Sequence, residues 1–350
     1  MKRTVSDNVF SQLGVSRREV LQRVAGVSLA AAAAGQPGTA QTAAARSATN
    51  AEFLQLFKEV SNWNRWGKDD QLGAVNLITP AKRKQAASLV REGASFSMAH
   101  DAEFETAVDN PQPIVRKITR PGTAAPAKGM GGTGDTFFIS YHGYVHTHVD
   151  ALCHFLYDGK MYNGYSKDVV TENGAQKNSI FNFKNGFITR GVLMDMARHK
   201  GVDYLEPGTP IYPEDLDAWE KKARVKVGPG DVVLVRTGRW PRRAAKGPWP
   251  TSEGLAGLHM SCAKWLHERD VAILGGDGAQ DVVPSGVEGV PQPVHVLVLV
   301  AMGMPIFDNC DFELIGKEAE KRRRWEFMVT ASPAAVPGAT GSVLNPIATF

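Results

Sequence analysis

Only three cysteines, Cys153, Cys262 and Cys310, occur in 350 residues, too few and too scattered for a disulfide framework. No apolar run of about 18 residues follows the N-terminal segment, so the body of the chain has no candidate membrane span. Internal repeats are also missing, which excludes solenoid and propeller architectures. Excess charge is missing too, once the N-terminus is set aside. The formal net charge is +4, and residues 1–46 account for it: Lys2, Arg3, Arg17, Arg18, Arg23 and Arg46 stand against Asp7 and Glu19. The remainder is close to neutral and offers no electrostatic footprint for nucleic acid or an anionic membrane. The glycine- and proline-rich stretch Pro111–Asp135 lacks the lysine and the strand-to-helix frame of a phosphate-cradling loop. It reads as a loop forming a lid or rim of a pocket.

The chain does carry an export-like leader. Ser16-Arg17-Arg18-Glu19-Val20-Leu21 precedes an alanine-rich apolar run from Val24 to Ala34, then small residues through Ala45. A charged start, a short apolar stretch and a small-residue exit describe a cleaved secretory signal, and the paired arginines resemble a twin-arginine export signal. Residues 1–45 are therefore expected to be a signal peptide and cleavage zone. Residues 46–350 would be the functional domain, periplasmic or secreted, with no stable membrane anchor after cleavage. Thr79-Pro80 reads as the N-cap and first turn of a helix running to about Glu92. Apolar, β-prone runs at 186–196, 231–237, 271–277 and 294–300 read as strands, and 212–224 and 261–269 as helices. That alternation predicts an α/β domain with strands buried on at least one face.

The segment Tyr144–Phe155 carries the chemistry. His146, His148 and His154, three of the nine histidines, fall close together with Asp150 among apolar neighbours. In an extended segment His146, His148 and Asp150 would share one face, with alternate residues about 6–7 Å apart. Imidazole with carboxylate suits zinc, manganese or iron(II), and few protein ligands leave positions for water. His142 would reach the same place only if the chain bends near Gly143. Cys153 is offset in phase from the histidines and reads as a packing residue, a soft ligand or nucleophile being the alternative. Arg190 and Arg236, each late in a strand, read as ion pairs within the fold, or else as carboxylate clamps for a substrate. Asp277 and Asp281 either face a site or cap a turn, and His259 is a pocket candidate.

Thr147-His148-Val149-Asp150, with His154 four residues on, resembles the motif of the cyclase family of metal-dependent hydrolases, which includes bacterial kynurenine formamidase and isatin hydrolase. The block Trp66–Thr79 (WGKDDQLGAVNLIT) is a second match. The pattern departs at Tyr144, where the family has its first histidine, and at His146, which replaces a usual glycine. Farther on, His295 and the Gly303-to-Asp308 spacing match, with Asp308 where glutamate is usual and Asp311 and Glu313 nearby. The resemblance implies a swivelling β/β/α fold with a barrel-like mixed sheet. It implies His148, Asp150, His295 and Asp308, with His146 as the nearest replacement ligand, around one or two divalent ions, zinc or manganese. It further implies His154 as the proton shuttle, and Trp63 or Trp66 as a wall of the substrate pocket unless that ring is simply core. The implied reaction is arylformamidase-like cleavage of a carbon–nitrogen bond, in N-formylkynurenine or a small cyclic amide or imide, by hydroxide on the ion. The same hydroxide would serve a lactone or ester. A periplasmic binding protein gripping a small carboxylate through its metal is the rival class, against which His154 argues. Family members tend to be dimers, so a homodimer is the implied partner beside the small-molecule substrate.

Overall fold

The computed structural model describes residues 45–350. The expected leader, apart from Ala45, lies outside the described residues. Nine strands form one mixed sheet: β1 (Ser95–Ser97), β2 (His148–Asp150), β3 (Phe187–Asp195), β4 (Val232–Arg236), β5 (Ile273–Gly276), β6 (Ile306–Asp308), β7 (Glu326–Ala331), β8 (Gly341–Val343) and β9 (Ile347–Thr349). Their spatial order is β1-β9-β7-β3-β4-β5-β6-β2-β8. The run β3-β4-β5-β6 is parallel and the flanking pairs are antiparallel. The sheet curls into a half-barrel, as the expected mixed α/β fold requires. Val232 to Val235 of β4 are all buried, as parallel strands covered on both faces must be.

Helices follow their local signals. α1 (Asn50–Glu59) opens with a capping box between Thr49 and Glu52, which satisfies two orphan donors reciprocally. α2 (Pro80–Ala87) has Thr79 as N-cap and proline in its first turn, but stops short of the expected Glu92. α3 (Pro213–Ala223) and α4 (Cys262–Glu268) lie where the sequence places them. The expected strand at 294–300 is helical instead: α5 (Pro293–His295) continues as a π-turned segment to Ala301. Pro293 presets the first turn. Every residue from Val294 to Ala301 is buried, so no amphipathic period distinguishes this helix from a buried strand. The stretch at 111–135 is likewise not all loop, since Val115–Arg120 pairs with Gly134–Phe138 as an antiparallel ribbon. Among the described residues no helix is long and apolar enough to cross a membrane.

Both strand arginines are structural. Arg190 binds Asp231 at 2.6 Å and Glu326 at 2.7 Å, and Arg236 binds Asp195 and Glu313, each at 2.8 Å. Pairing is what makes such buried charges tolerable. Asp277, fully buried at the end of β5, accepts hydrogen bonds from the backbone N–H groups of Thr237 and Gly238 and from the Thr237 hydroxyl. It caps a turn.

The block Trp66–Thr79 is held by a backbone-to-backbone approach that admits no side chain. Gly73 has φ +56°, and a Cβ there would sit 1.9 Å from the Gly303 carbonyl oxygen. Gly73→Ala is therefore expected to lower stability by about 2 kcal/mol or more, read as a drop in the urea midpoint. Gly228→Ala, with nothing within 4 Å, should leave the midpoint nearly unchanged.

Candidate metal centre

The sheet assembles the site by placing β2 between two strands from the far end of the chain. In the register, Asp308 of β6 lies opposite His148 and Ile306 opposite Asp150. On the other edge of β2, Gly341 of β8 faces Asp150. His148 and Asp150, two apart, share one side of the strand, and cross-strand pairing sets Asp308 beside them. His295, at the end of α5, completes the group. Its Nε2 lies 3.3 Å from Asp308 Oδ2 and 4.0 Å from Asp150 Oδ2. His148 Nε2 is 3.3 Å from Asp150 Oδ1, and His142 Nδ1 is 3.0 Å from the same oxygen. Two overlapping sets of ligand atoms result, His142/His148/Asp150 and Asp150/His295/Asp308, each lying within 4.8 Å. Asp150 belongs to both.

Proton positions follow from the partners. His148 Nδ1 is 2.8 Å from the His146 carbonyl, which can only accept, so Nδ1 carries the hydrogen. His295 Nδ1 is 2.6 Å from Asp281 Oδ2, which fixes the same tautomer. Each ring thus turns its Nε2 toward carboxylate oxygens, an arrangement that holds only with a second proton on the ring or with a cation between. Burial opposes a charged imidazole at both positions. Asp150 nevertheless raises His148 above its ordinary value, and Asp281 and Asp308 raise His295 well above. Asp150 is fully buried, and both its oxygens lack a well-directed hydrogen bond. Although burial penalises its charge, His142 and His148 hold its carboxyl well below the usual range. An orphaned carboxylate inside a ring of imidazole nitrogens is a donor set suited to a divalent cation.

His154 stands beside this group. Its Nε2 is 3.8 Å from Asp150 Oδ1, and its ring stacks on His142 with centroids 3.6 Å apart. Burial lowers its pKa to about 4, with Asp150 opposing and the neighbouring imidazoles assisting, so it is neutral at neutral pH. His142 is anchored by Thr340 Oγ1 at 3.0 Å. Its ring lies over Gly341, where a Cβ would come within 2.8 Å of it. The aromatic rings next to the cluster are Phe155, 4.8 Å from His295, and Tyr141, 4.7 Å from His142.

The model of the family described as "Putative cyclase" matches residues 75–280. A crystal structure of a novel cyclase is similar with a TM-score of 0.77 and 31% identity, over 84% of this chain and 99% of its own. The chain belongs to the cyclase family. Two isatin hydrolases share the fold at lower similarity. Isatin hydrolase A from Labrenzia aggregata, bound to benzyl benzoate, has a TM-score of 0.51 and 20% identity over 75% of this chain and 94% of its own. An isatin hydrolase bound to the product analogue thioisatinate has 0.50 and 15% over 78% and 97%. No curated protein matches the chain.

In this cyclase-family chain His148, Asp150, His295 and Asp308 are brought together, and His146 is not among them. The strand begins only at His148, and residues 142–146 form a series of bends, so the alternation that would align His146 is broken. The His146 ring is buried with both nitrogens unpartnered, while its carbonyl orients His148. The bend returns His142 instead. Tyr144 lies away from the cluster, packed against Trp249, Leu255 and Ala279. Trp63 donates its indole N–H to the Val300 carbonyl at 2.7 Å and packs on Phe57 in the core. Trp66 lies under the Arg65 guanidinium. Asp311 accepts the Glu313 N–H at the start of the helix Glu313–Arg322, and the Glu313 carboxylate pairs with Arg236. His259 binds Ser261 and the Arg46 carbonyl. Cys153 is buried, and burial pushes its thiol up to about 12, which suits packing and no nucleophile. Asp281, which the sequence offers as facing a site or capping a turn, stands behind the site and orients His295; Gln280, whose amide donates to Asp308 Oδ1 at 3.0 Å, has no local sequence signal.

Equilibrium dialysis against zinc or manganese separates the two histidines. His142→Ala is expected to weaken uptake by about tenfold or more, whereas His146→Ala should leave uptake within about twofold.

Proposed function

We propose that this chain is a metal-dependent hydrolase cleaving the carbon–nitrogen bond of a small aryl formamide, such as N-formylkynurenine, or of a cyclic amide or imide. The observation that carries this reading is Asp150, an orphaned buried carboxylate shared by two sets of ligand atoms. His142, His148, Asp150, His295 and Asp308 would hold one or two divalent ions, zinc or manganese, with Asp150 common to both positions. When bound, such an ion acidifies a water toward neutrality and polarises a carbonyl.

The chain's own groups do the rest. His154 is neutral at working pH and near Asp150 without being tied to the strand. Its Nε2 takes the proton of the attacking water and returns it to the departing nitrogen. Asp150, kept ionised by its imidazole neighbours, holds His142 and His148 in place. Phe155 and Tyr141 provide apolar and aromatic walls suited to a ring-bearing substrate. The cleft is read as exported, on the strength of the leader pattern.

The test is a panel of aryl formamides, cyclic imides, lactones and simple esters, assayed with and without chelator, alongside elemental analysis of the purified protein. Chelator-sensitive turnover of a formamide or imide is expected. Turnover confined to lactones or esters would reassign the bond, and protein free of bound metal would remove the reading. His154→Ala should keep its metal while turnover falls by about 10²–10⁴-fold.

Asp281→Asn tests how His295 is oriented. The amide keeps a single acceptor oxygen where the carboxylate serves the Val294 and His295 N–H groups and Nδ1, so the hold on the ring loosens and metal affinity should fall about 10–100-fold. Asp281→Glu should restore part of it.

A further inference from the structure

Arg239, at the start of the helix Arg239–Lys246, is only 4% exposed, yet most of its guanidinium is unmatched. Its Nη2 donates to the Tyr144 carbonyl at 2.7 Å and reaches Asp109 only at 3.4 Å. Nε and Nη1 are buried and have no partner among the described residues. The acids nearby are committed elsewhere. Asp109 makes its close contacts with Arg243, at 2.7 and 2.9 Å, and Asp277 is taken up by Thr237 and Gly238. Burial lowers the Arg239 pKa to about 10, against the pull of Asp109 and Asp277, so the group stays cationic at neutral pH. Buried arginines are almost always paired, and the hydrogens on Nε and Nη1 call for an acceptor.

A small cavity lies beside them. It measures about 10 Å³, and its lining includes Arg239, Arg242, Trp249, Leu255, Ala256 and Gly278. Nη1 borders it, since a Cβ on Gly278 would stand 4.0 Å from that nitrogen. Arg242 brings a second guanidinium, tied to Glu206 through Nε at 2.9 Å. Both guanidinium groups lie on the Trp249 ring, 5.0 and 4.2 Å from its centroid. The lining's one hydroxyl, on Thr237, gives its hydrogen to Asp277, and its other side chains are apolar. A water in this place would have to donate as well as accept, and would face cationic N–H groups. An anion only accepts, and it offsets two like charges set in apolar surroundings. Volume decides its size, because about 10 Å³ holds one water-sized particle. Phosphate, sulfate and organic acids are too large. We infer that a single halide ion, chloride, binds here between Arg239 and Arg242. Steadied by it, Arg239 holds the Tyr144 carbonyl and braces the bend that returns His142 to the metal centre.

Thermal unfolding of the purified chain in sodium chloride, sodium bromide and sodium gluconate at equal ionic strength tests this inference, gluconate being too large for the cavity. The midpoint should stand about 2 °C or more higher in either halide. Gly278→Ala places a methyl 3.5 Å from Arg239 Cδ, an ordinary contact on a backbone outside the left-handed region. It should fill the cavity and abolish the difference between halide and gluconate. If that variant does not fold, anomalous scattering from wild-type crystals grown in bromide decides the matter, with a bromide expected within hydrogen-bonding reach of Arg239 Nε or Nη1. Equal midpoints in halide and gluconate overturn the inference. So does a halide effect that survives in Gly278→Ala, which would place the ion elsewhere, and so does bromide confined to the surface. None of these outcomes requires turnover, so they stand apart from those that test the proposed chemistry.

Discussion

A carboxylate with no hydrogen-bond donor of its own, sealed between two strands, is the constraint around which the centre of this protein is built. Burying an ionised Asp150 costs several kcal/mol unless positive charge answers it. Every nearby group is arranged as though to supply that charge. Imidazole nitrogens face it from His142, His148 and His295, and two of these rings have their far nitrogens fastened to acceptors, which turns the near ones toward the centre. A well-packed apolar residue at position 150 would be cheaper for the fold. The retention of an ionisable one therefore points to chemistry and away from stability.

Around that centre the fold supplies rigidity in layers. β2 is clamped from both edges, α5 delivers His295 from a completely buried helix, and the turn at Gln280 and Asp281 holds Asp308 and His295 from behind. Gln280 and Asp281 are themselves buried, as precise ligand geometry demands. Groups that looked chemical in isolation turn out to serve this scaffold: Asp277 caps a turn, and Arg190 and Arg236 tie strands together.

Much of this was readable from the chain because it is local. His148 and Asp150 are two residues apart on one short strand, and β3, β4 and β5 announce themselves by apolar, β-prone stretches. What was not readable depends on contacts between distant segments. The sequence makes His142 conditional on a bend near Gly143, but gives no sign that Gly341, some two hundred residues on, leaves room for its ring. His146, at the expected spacing, loses its place to that bend. α5 reads as a strand in the sequence because burial on every side erases the periodicity that identifies a helix. Gln280 acts only through Asp308, and a single sequence carries no mark of such an indirect role; Asp281 is marked as an acid after a strand, but not as the partner of His295.

The position of β2 has a consequence for how the polypeptide matures. Its neighbours β6 and β8 are both drawn from beyond residue 300, so the cavity around Asp150 cannot close while synthesis is still short of them. Long-range pairing of this kind is slow, because chain entropy must be surrendered before the contacts repay it. Ion capture is accordingly a late event in biogenesis, and a chain truncated before residue 300 would present its histidines to solvent with nothing to enclose them.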